Sequence, residues 1–237
     1  MTATVIKEAV ILAGGLGTRL RPAVPDLPKC MAPVGDRPFI GYITDYFRRA
    51  GIERFIFALG YKSAAFEEFF ERDFPDGGYT VSIEDTPLGT GGAIRQACRL
   101  AREATVLILN GDTFFRIDLN ALSSFHAAHQ ADCSLCLKPM QDFDRFGVVE
   151  LDADGRVRQF REKQVYRSGL INGGIYALDR ESFLREELPT VFSFEKDYLE
   201  KRLDKRRLFG LEQDNYFIDI GIPEDYLRVQ TAINQLL

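Results

Sequence analysis

Apolar positions along this chain fall into short unbroken runs separated by amphipathic stretches, and that alternation predicts its elements. Ala9 to Ala13, Phe55 to Leu59 and Val106 to Leu109 are continuous apolar runs of strand length, the mark of strands covered on both faces. Tyr79 to Ile83 alternates and reads as a further strand. Between them, Gly35-Asp36-Arg37-Pro38 opens a helix with Phe39, Ile43, Tyr46 and Phe47 on one face and Gly51 as its stop. Ser63 is placed to cap a helix through Phe70, and another spans about Ala93 to Arg102. This βαβαβ order predicts an α/β fold with a mostly parallel, doubly wound sheet, helices on both faces and ligands at the carboxyl ends of the strands.

Beyond residue 115 the pattern changes. A helix over Asp118 to His129 and a strand over Ser134 to Leu137 lead to a hairpin of Gly147 to Leu151 with Val157 to Phe160, turning at Asp152-Ala153-Asp154-Gly155. Leu170 to Leu178 is a strand broken by Asn172-Gly173-Gly174, where missing side chains suggest close approach by a ligand. Helices over Arg180 to Leu188 and Phe194 to Leu203 follow, then Tyr216 to Gly221 and a last helix from Pro223. One domain over residues 1–237 is expected, with no β-helical extension.

The first apolar run empties into Gly14-Gly15-Leu16-Gly17-Thr18-Arg19, and Lys29 follows ten residues after Arg19. Glycines there let backbone N–H groups turn toward an anion. The frame fits neither G-x-G-x-x-G nor the P-loop, since Leu20 ends it and no Gly-Lys-Ser/Thr follows. A hydroxyl and two cations at one place suit a triphosphate whose charge must be offset while a bond breaks.

Composition excludes several classes. A net charge of −5 and a pI near 5.3 disfavour nucleic-acid binding, and Lys205-Arg206-Arg207 reads as the solvated end of a helix. No apolar run nears the roughly 18 residues of a membrane span, so a soluble, cytoplasmic chain is expected, without a membrane partner. Cys30, Cys98, Cys133 and Cys136 form no disulfide framework, and Cys133-x-x-Cys136 reads as small core residues. His126 and His129, three apart, read as a solvated helix face.

Asp112 and Asp219 each follow an apolar strand, 107 positions apart. Two such carboxylates can meet above one sheet edge and share a divalent ion, leaving its other positions to phosphate and water.

With Gly15-Leu16-Gly17-Thr18-Arg19 and Pro28-Lys29, the chain resembles the sugar-1-phosphate nucleotidylyltransferases. The resemblance runs along nearly the whole chain and implies a Rossmann-like sheet with a smaller β-containing sugar-binding part. Residues 1–115 would form the nucleotide half and 116–237 the sugar-phosphate half. It implies catalytic Arg19 and Lys29, and nucleotide contacts from Leu12, Ala13, Gly14, Gly15, Gly17, Thr18, Pro87, Leu88, Gly89, Thr90 and Gly111. Gly147, Glu162, Lys163, Asn172 and Gly173 would hold the sugar phosphate, and Asp112 and Asp219 would bind Mg²⁺. Gln164 stands where the family commonly has Pro, Cys30 replaces a common Pro, and Arg21-Pro22-Ala23-Val24 replaces a more usual Leu-Thr.

The substrates implied are a nucleoside triphosphate and a sugar 1-phosphate, with a homo-oligomer compatible. The strings Asn110 to Phe115, Gly169 to Tyr176 and Tyr216 to Tyr226 look most like heptose-1-phosphate guanylyltransferases, which implies GTP and capsule or surface polysaccharide synthesis. Gly173 and Gly174 are then expected to leave room for the extra carbon of a heptose. Mannose- and N-acetylmuramate-1-phosphate nucleotidylyltransferases are the alternatives in the same class. A non-catalytic nucleotide-sugar sensor is the alternative from another.

Overall fold

The computed structural model describes residues 5–15, 20, 24–60 and 63–236. The predicted Gly17, Thr18 and Arg19 lie outside them, as do Leu16 and residues 21–23.

Thirteen strands form among the described residues: β1 (Glu8–Leu12), β2 (Pro33–Val34), β3 (Arg37–Pro38), β4 (Arg54–Leu59), β5 (Tyr79–Ile83), β6 (Thr105–Asn110) and β7 (Thr113–Phe115); then β8 (Cys133–Phe143), β9 (Val148–Leu151), β10 (Val157–Arg161), β11 (Tyr166–Asp179), β12 (Leu208–Glu212) and β13 (Phe217–Asp219). The helices are α1 (Phe39–Ala50), α2 (Glu67–Asp73), α3 (Gly89–Cys98), α4 (Leu119–Ala128), α5 (Arg180–Leu184) and α6 (Pro223–Thr231). Nine strands make one mixed sheet flanked by helices. Its amino-terminal half runs β5-β4-β1-β6, all parallel, and β11 joins antiparallel to β6.

The unbroken apolar runs are explained by burial on both sides. Ala9 and Ile11 of β1 face one core with Phe55, Phe57, Leu107 and Leu109, under Phe39, Phe47 and Phe69 of α1 and α2. Val10 faces the other, with Ile56 and Ile108, under Ile94 and Ala97 of α3. Cys133 and Cys136, three apart on β8, point into opposite cores, so they are packing residues and not a pair.

Several elements differ from their pattern. Helix α3 starts at Gly89 instead of near Ala93, because the glycine run packs against residues 190–192. Helix α5 stops at Leu184 instead of Leu188, and the chain leaves it through turns in which the Glu186 amide donates to Phe183 O and the Leu188 amide to Glu186 O, each at 3.1 Å. Phe194–Leu199 is a π-helix capped by Ser193, followed by a 3₁₀ turn at Glu200–Arg202. Strands β8 and β11 run longer than their apolar cores and pair from Tyr166↔Phe143, with an irregularity between Asn172 and Tyr176.

Two surface readings are corrected. His126 is buried and its Nδ1 lies 2.9 Å from Ser134 Oγ, while His129 packs its ring on Phe125 and Phe209. Burial, partly offset by Asp179 and Asp132, pushes the His126 pKa down to about 4. The Lys205-Arg206-Arg207 run lies in a turn before β12, not at a helix end. Arg206 pairs with Glu186 and donates to Ser182 Oγ, and the Arg207 amide donates to Asp132 Oδ2 at 2.9 Å.

Candidate active site

In the order β5-β4-β1-β6 the chain adds strands outward on one side of β1, as β4 and β5, and then crosses to its other side for β6, so the crevice between the carboxyl ends of β1 and β6 is the expected ligand site. That crevice is floored by backbone held close. The Gly111 amide donates to Leu12 O at 3.0 Å, and a Cβ on Gly111 would stand 2.6 Å from that oxygen. Any side chain would push the two strand ends apart.

Lys29 reaches the same edge because Lys29–Met31 is a 3₁₀ turn whose Cys30 Sγ docks 3.7 Å from Ala13 O. Asp219 reaches it from the far end of the chain. Strand β13 pairs antiparallel with β7 in the register Asp219↔Thr113, and the Ile220 amide donates to Asp112 O at 3.0 Å. Lys29 Nζ then donates to Asp112 Oδ2 at 2.5 Å and lies 3.8 Å from Asp219 Oδ1. Asp219 Oδ1 also accepts from the Gly221 amide at 2.6 Å. Burial, and then the charge of Asp112, push the Asp219 carboxyl above its ordinary range, which Lys29 partly offsets. A half-buried carboxylate with a second one beside it forms a place for positive charge, and the Lys29 ammonium stands there.

Two cavities open on either side of this cluster. The first, about 720 Å³, is lined by Leu12, Ala13, Gly14, Gly15, Pro87, Gly89 and Thr90 of the predicted nucleotide set, together with Lys29 and Asp112. Of that set, Leu88 and Gly111 do not line it; they support it from behind, Leu88 through its amide on Glu84 Oε2. The second, about 340 Å³, is lined by Gly147, Glu162, Lys163, Asn172 and Gly173, the complete predicted sugar-phosphate set, and by Asp219. Asn110 and Glu195 line both.

Glu195, like Glu84 and Asp85 in the first cavity, was not picked out by sequence reasoning, because it falls inside an ordinary-looking helical stretch. Burial, with the charges of Glu200 and Asp112, pushes its carboxyl up, against the Tyr176 hydroxyl and Lys163, which favour the charged form. Asn110 was within reach, since it precedes Gly111-Asp112 at the end of an apolar strand.

The glycines at Asn172-Gly173-Gly174 have a different cause from the one expected. A Cβ on Gly173 would meet the Phe115 ring at 2.6 Å and Cys136 O at 2.9 Å, and one on Gly174, at φ +71°, would meet the Asn110 side chain. The space on their Cβ side is filled by protein, which accounts for the missing side chains, while both glycines also line the second cavity. Gly173→Ala is accordingly expected to destabilise the fold by about 1–3 kcal/mol, the usual cost of overpacking, read as a drop of several degrees in thermal melting. An unchanged melting temperature would show that Phe115 has room to move.

Asp112 and Asp219 offer hard oxygen donors, and among the described residues no group of three or more His, Cys, Asp or Glu side chains is arranged to hold an ion. The pair therefore fits an ion that takes its remaining ligands from phosphate and water, as Mg²⁺ prefers. No helix among the described residues is long and apolar enough to cross a membrane.

A family model described as nucleotidyl transferase matches residues 8–235. The D-glycero-alpha-D-manno-heptose 1-phosphate guanylyltransferase of Aneurinibacillus thermoaerophilus is 44% identical over 97% of this chain and 100% of that protein. The protein of the same name from Campylobacter jejuni is 43% identical over 92% and 96%. Among solved structures, HddC from Yersinia pseudotuberculosis superposes with a TM-score of 0.85 at 33% identity, covering 96% of this chain and all of that one, and a structure of HddC complexed with GMP-PN gives 0.84. Matched over almost its whole length in sequence and in fold, the chain belongs to the nucleotidyl transferase family and is a nucleotidyltransferase.

Proposed function

We propose that this protein transfers GMP from GTP to D-glycero-α-D-manno-heptose 1-phosphate, making a GDP-sugar and pyrophosphate for capsule or surface polysaccharide synthesis in the cytoplasm. The observation that carries the reaction type is the meeting of two cavities across Lys29, Asp112 and Asp219. The choice of GTP and heptose rests on the two relatives of that name at 44% and 43% identity.

In this reading a phosphate oxygen of the sugar 1-phosphate attacks the α-phosphorus of GTP. The bond from that phosphorus to the β-bridging oxygen breaks, and pyrophosphate leaves. A phosphate monoester is already nucleophilic, so positioning two anions and offsetting their charge is the main task. Residues 1–115 hold the nucleotide, with Leu12 to Gly15, Gly17 and Thr18 around the phosphates and Pro87 to Thr90 beside the base. Residues 116–237 hold the sugar, with Lys163 on its phosphate and Gly147, Glu162, Asn172 and Gly173 around its ring. Arg19 and Lys29 supply the cations that act on the triphosphate, Lys29 held in place by its contacts with Asp112 and Asp219. Asp112 and Asp219 are the residues that would hold Mg²⁺, which would supply further charge neutralisation at the phosphates.

The whole assignment is tested by letting GTP, UTP, CTP and dTTP compete with heptose 1-phosphate and mannose 1-phosphate both present, and identifying the nucleotide sugar formed. GDP-heptose is expected as the main product. A preference for UTP or dTTP, or for mannose 1-phosphate, would overturn the subclass and leave the reaction type standing. Absence of any nucleotide sugar would overturn both.

A further inference from the structure

The segment from Leu188 to Glu195 is a strap stapled along the loop that lines the first cavity, and its last residue lines both cavities where they meet. The Phe192 amide donates to Leu88 O and the Gly91 amide donates to Phe192 O, each at 3.0 Å. The Phe194 amide donates to Thr90 Oγ1 at 2.9 Å. Arg95 of α3 grips the start of the strap, donating to Leu188 O at 2.9 Å and Pro189 O at 2.7 Å, with its guanidinium 5.1 Å from the centre of the Phe192 ring. A Cβ on Gly89 would stand 2.5 Å from Phe192 O, and one on Gly91 would overlap the Phe192 ring. Loop and strap are therefore packed too closely to move apart independently.

At its other end the strap is tied to the floor of the second cavity. The Gly174 amide donates to Asn172 Oδ1 at 3.1 Å, which leaves Asn172 Nδ2 to donate to the Tyr176 hydroxyl at 2.8 Å. Since that hydroxyl accepts from Asn172, its own proton points to Glu195 Oε1, 3.4 Å away. Tyr176 is buried, so the Asn172–Tyr176 end of this relay is held, while the 3.4 Å contact to Glu195 is long enough to tighten or loosen as the strap shifts. Glu195 is thus linked to both sides. It sits one residue after the amide bonded to Thr90, at the start of a π-helix, a form that frequently occurs at functional sites.

Resting on the two-cavity reading above, we propose that Glu195 is a positioning residue through which occupancy of the nucleotide cavity is transmitted to the sugar-phosphate cavity. A base settling against Pro87 to Thr90 carries the strap with it, and the strap sets where the Glu195 carboxylate stands relative to Tyr176 and the sugar-phosphate pocket. The sugar 1-phosphate then binds a pocket already shaped by the nucleotide. By linkage the effect is reciprocal.

The test measures binding without turnover. Isothermal titration calorimetry in Mg²⁺ buffer gives the Kd of heptose 1-phosphate with and without a GTP analogue whose α–β bridge is a methylene, and the Kd of the analogue with and without the sugar. For the parent, each ligand is expected to tighten the other by about fivefold or more, within the usual range of such couplings. Arg95 and Tyr176 line neither cavity. In Arg95→Met and in Tyr176→Phe, the coupling is expected to fall to within about twofold of none, with each single-ligand Kd within about threefold of the parent.

Coupling retained in both variants would overturn the proposal, and so would a parent that binds both ligands independently. Loss of analogue affinity by itself in Arg95→Met, with the coupling factor unchanged, would also overturn it, since the strap would then only support the loop. A parent that binds neither ligand would remove the two-substrate reading first and the coupling with it.

Discussion

Lys29→Met is expected to lower turnover by roughly 10²–10³-fold, the range seen when one preorganised donor at a developing charge is lost. Methionine keeps the length and apolar stem of the side chain, so the Lys29–Met31 turn and the docking of Cys30 on Ala13 are retained. What goes is the ammonium between Asp112 and Asp219, at 2.5 and 3.8 Å. Lys29 is largely covered, so water cannot replace it as it would on an open surface. Steady-state kinetics with GTP and heptose 1-phosphate, alongside a circular dichroism melt, separates the two effects. A folded variant turning over within about threefold of the parent would show that Lys29 only balances charge in the resting protein.

Asp112→Asn and Asp219→Asn are each expected to lower turnover on the order of 10³-fold at fixed Mg²⁺, since a lost metal ligand removes several kcal/mol of charge stabilisation. The double variant is expected to be little worse than the worse single one. Two residues acting on one ion are non-additive, because removing the first already removes most of what the second does. Titrating Mg²⁺ in each variant, with Mn²⁺ binding followed by paramagnetic resonance, reads the same site without relying on activity. Effects that multiply, with Mn²⁺ affinity unchanged, would separate the two carboxylates and leave the Lys29 contacts as a structural ion pair.

How far the site was legible follows from how each residue announces itself. Asp112 and Asp219 each sit directly after an apolar run, where one aspartate alone would equally serve as a turn or cap residue, and they stand out only as a pair beside the glycine loop. Lys29 stands out only together with the glycine loop. Glu195 gives no such signal, because one glutamate in a helical stretch rich in Glu and Lys looks like any solvated face. The glycines at 89, 91, 173 and 174 were legible as special, but their cause was not. Missing side chains look the same whether a ligand or a neighbouring segment takes the space, and here Phe192, Phe115 and Asn110 take it. His126 failed for a related reason, since spacing places a residue on a helix but does not say which face is covered.

The sequence by itself determined the local elements and their class. Strands β1, β4 and β6 are continuous apolar runs because both faces of the sheet are buried, and a run of that kind is readable without knowing its neighbours. It also determined which residues carry charge and hydroxyls to the strand ends. The tertiary structure alone decided which of those ends meet. Asp219 lies beside Asp112 because β13 pairs with β7 across about a hundred residues, and backbone pairing of that range leaves no periodic trace in either segment. The polar half of β8, from Lys138 to Phe143, is a strand only because β11 supplies its hydrogen bonds. Glu195 joins the site only because a strap of main-chain bonds lays it there, and main-chain bonds are made by every residue type alike.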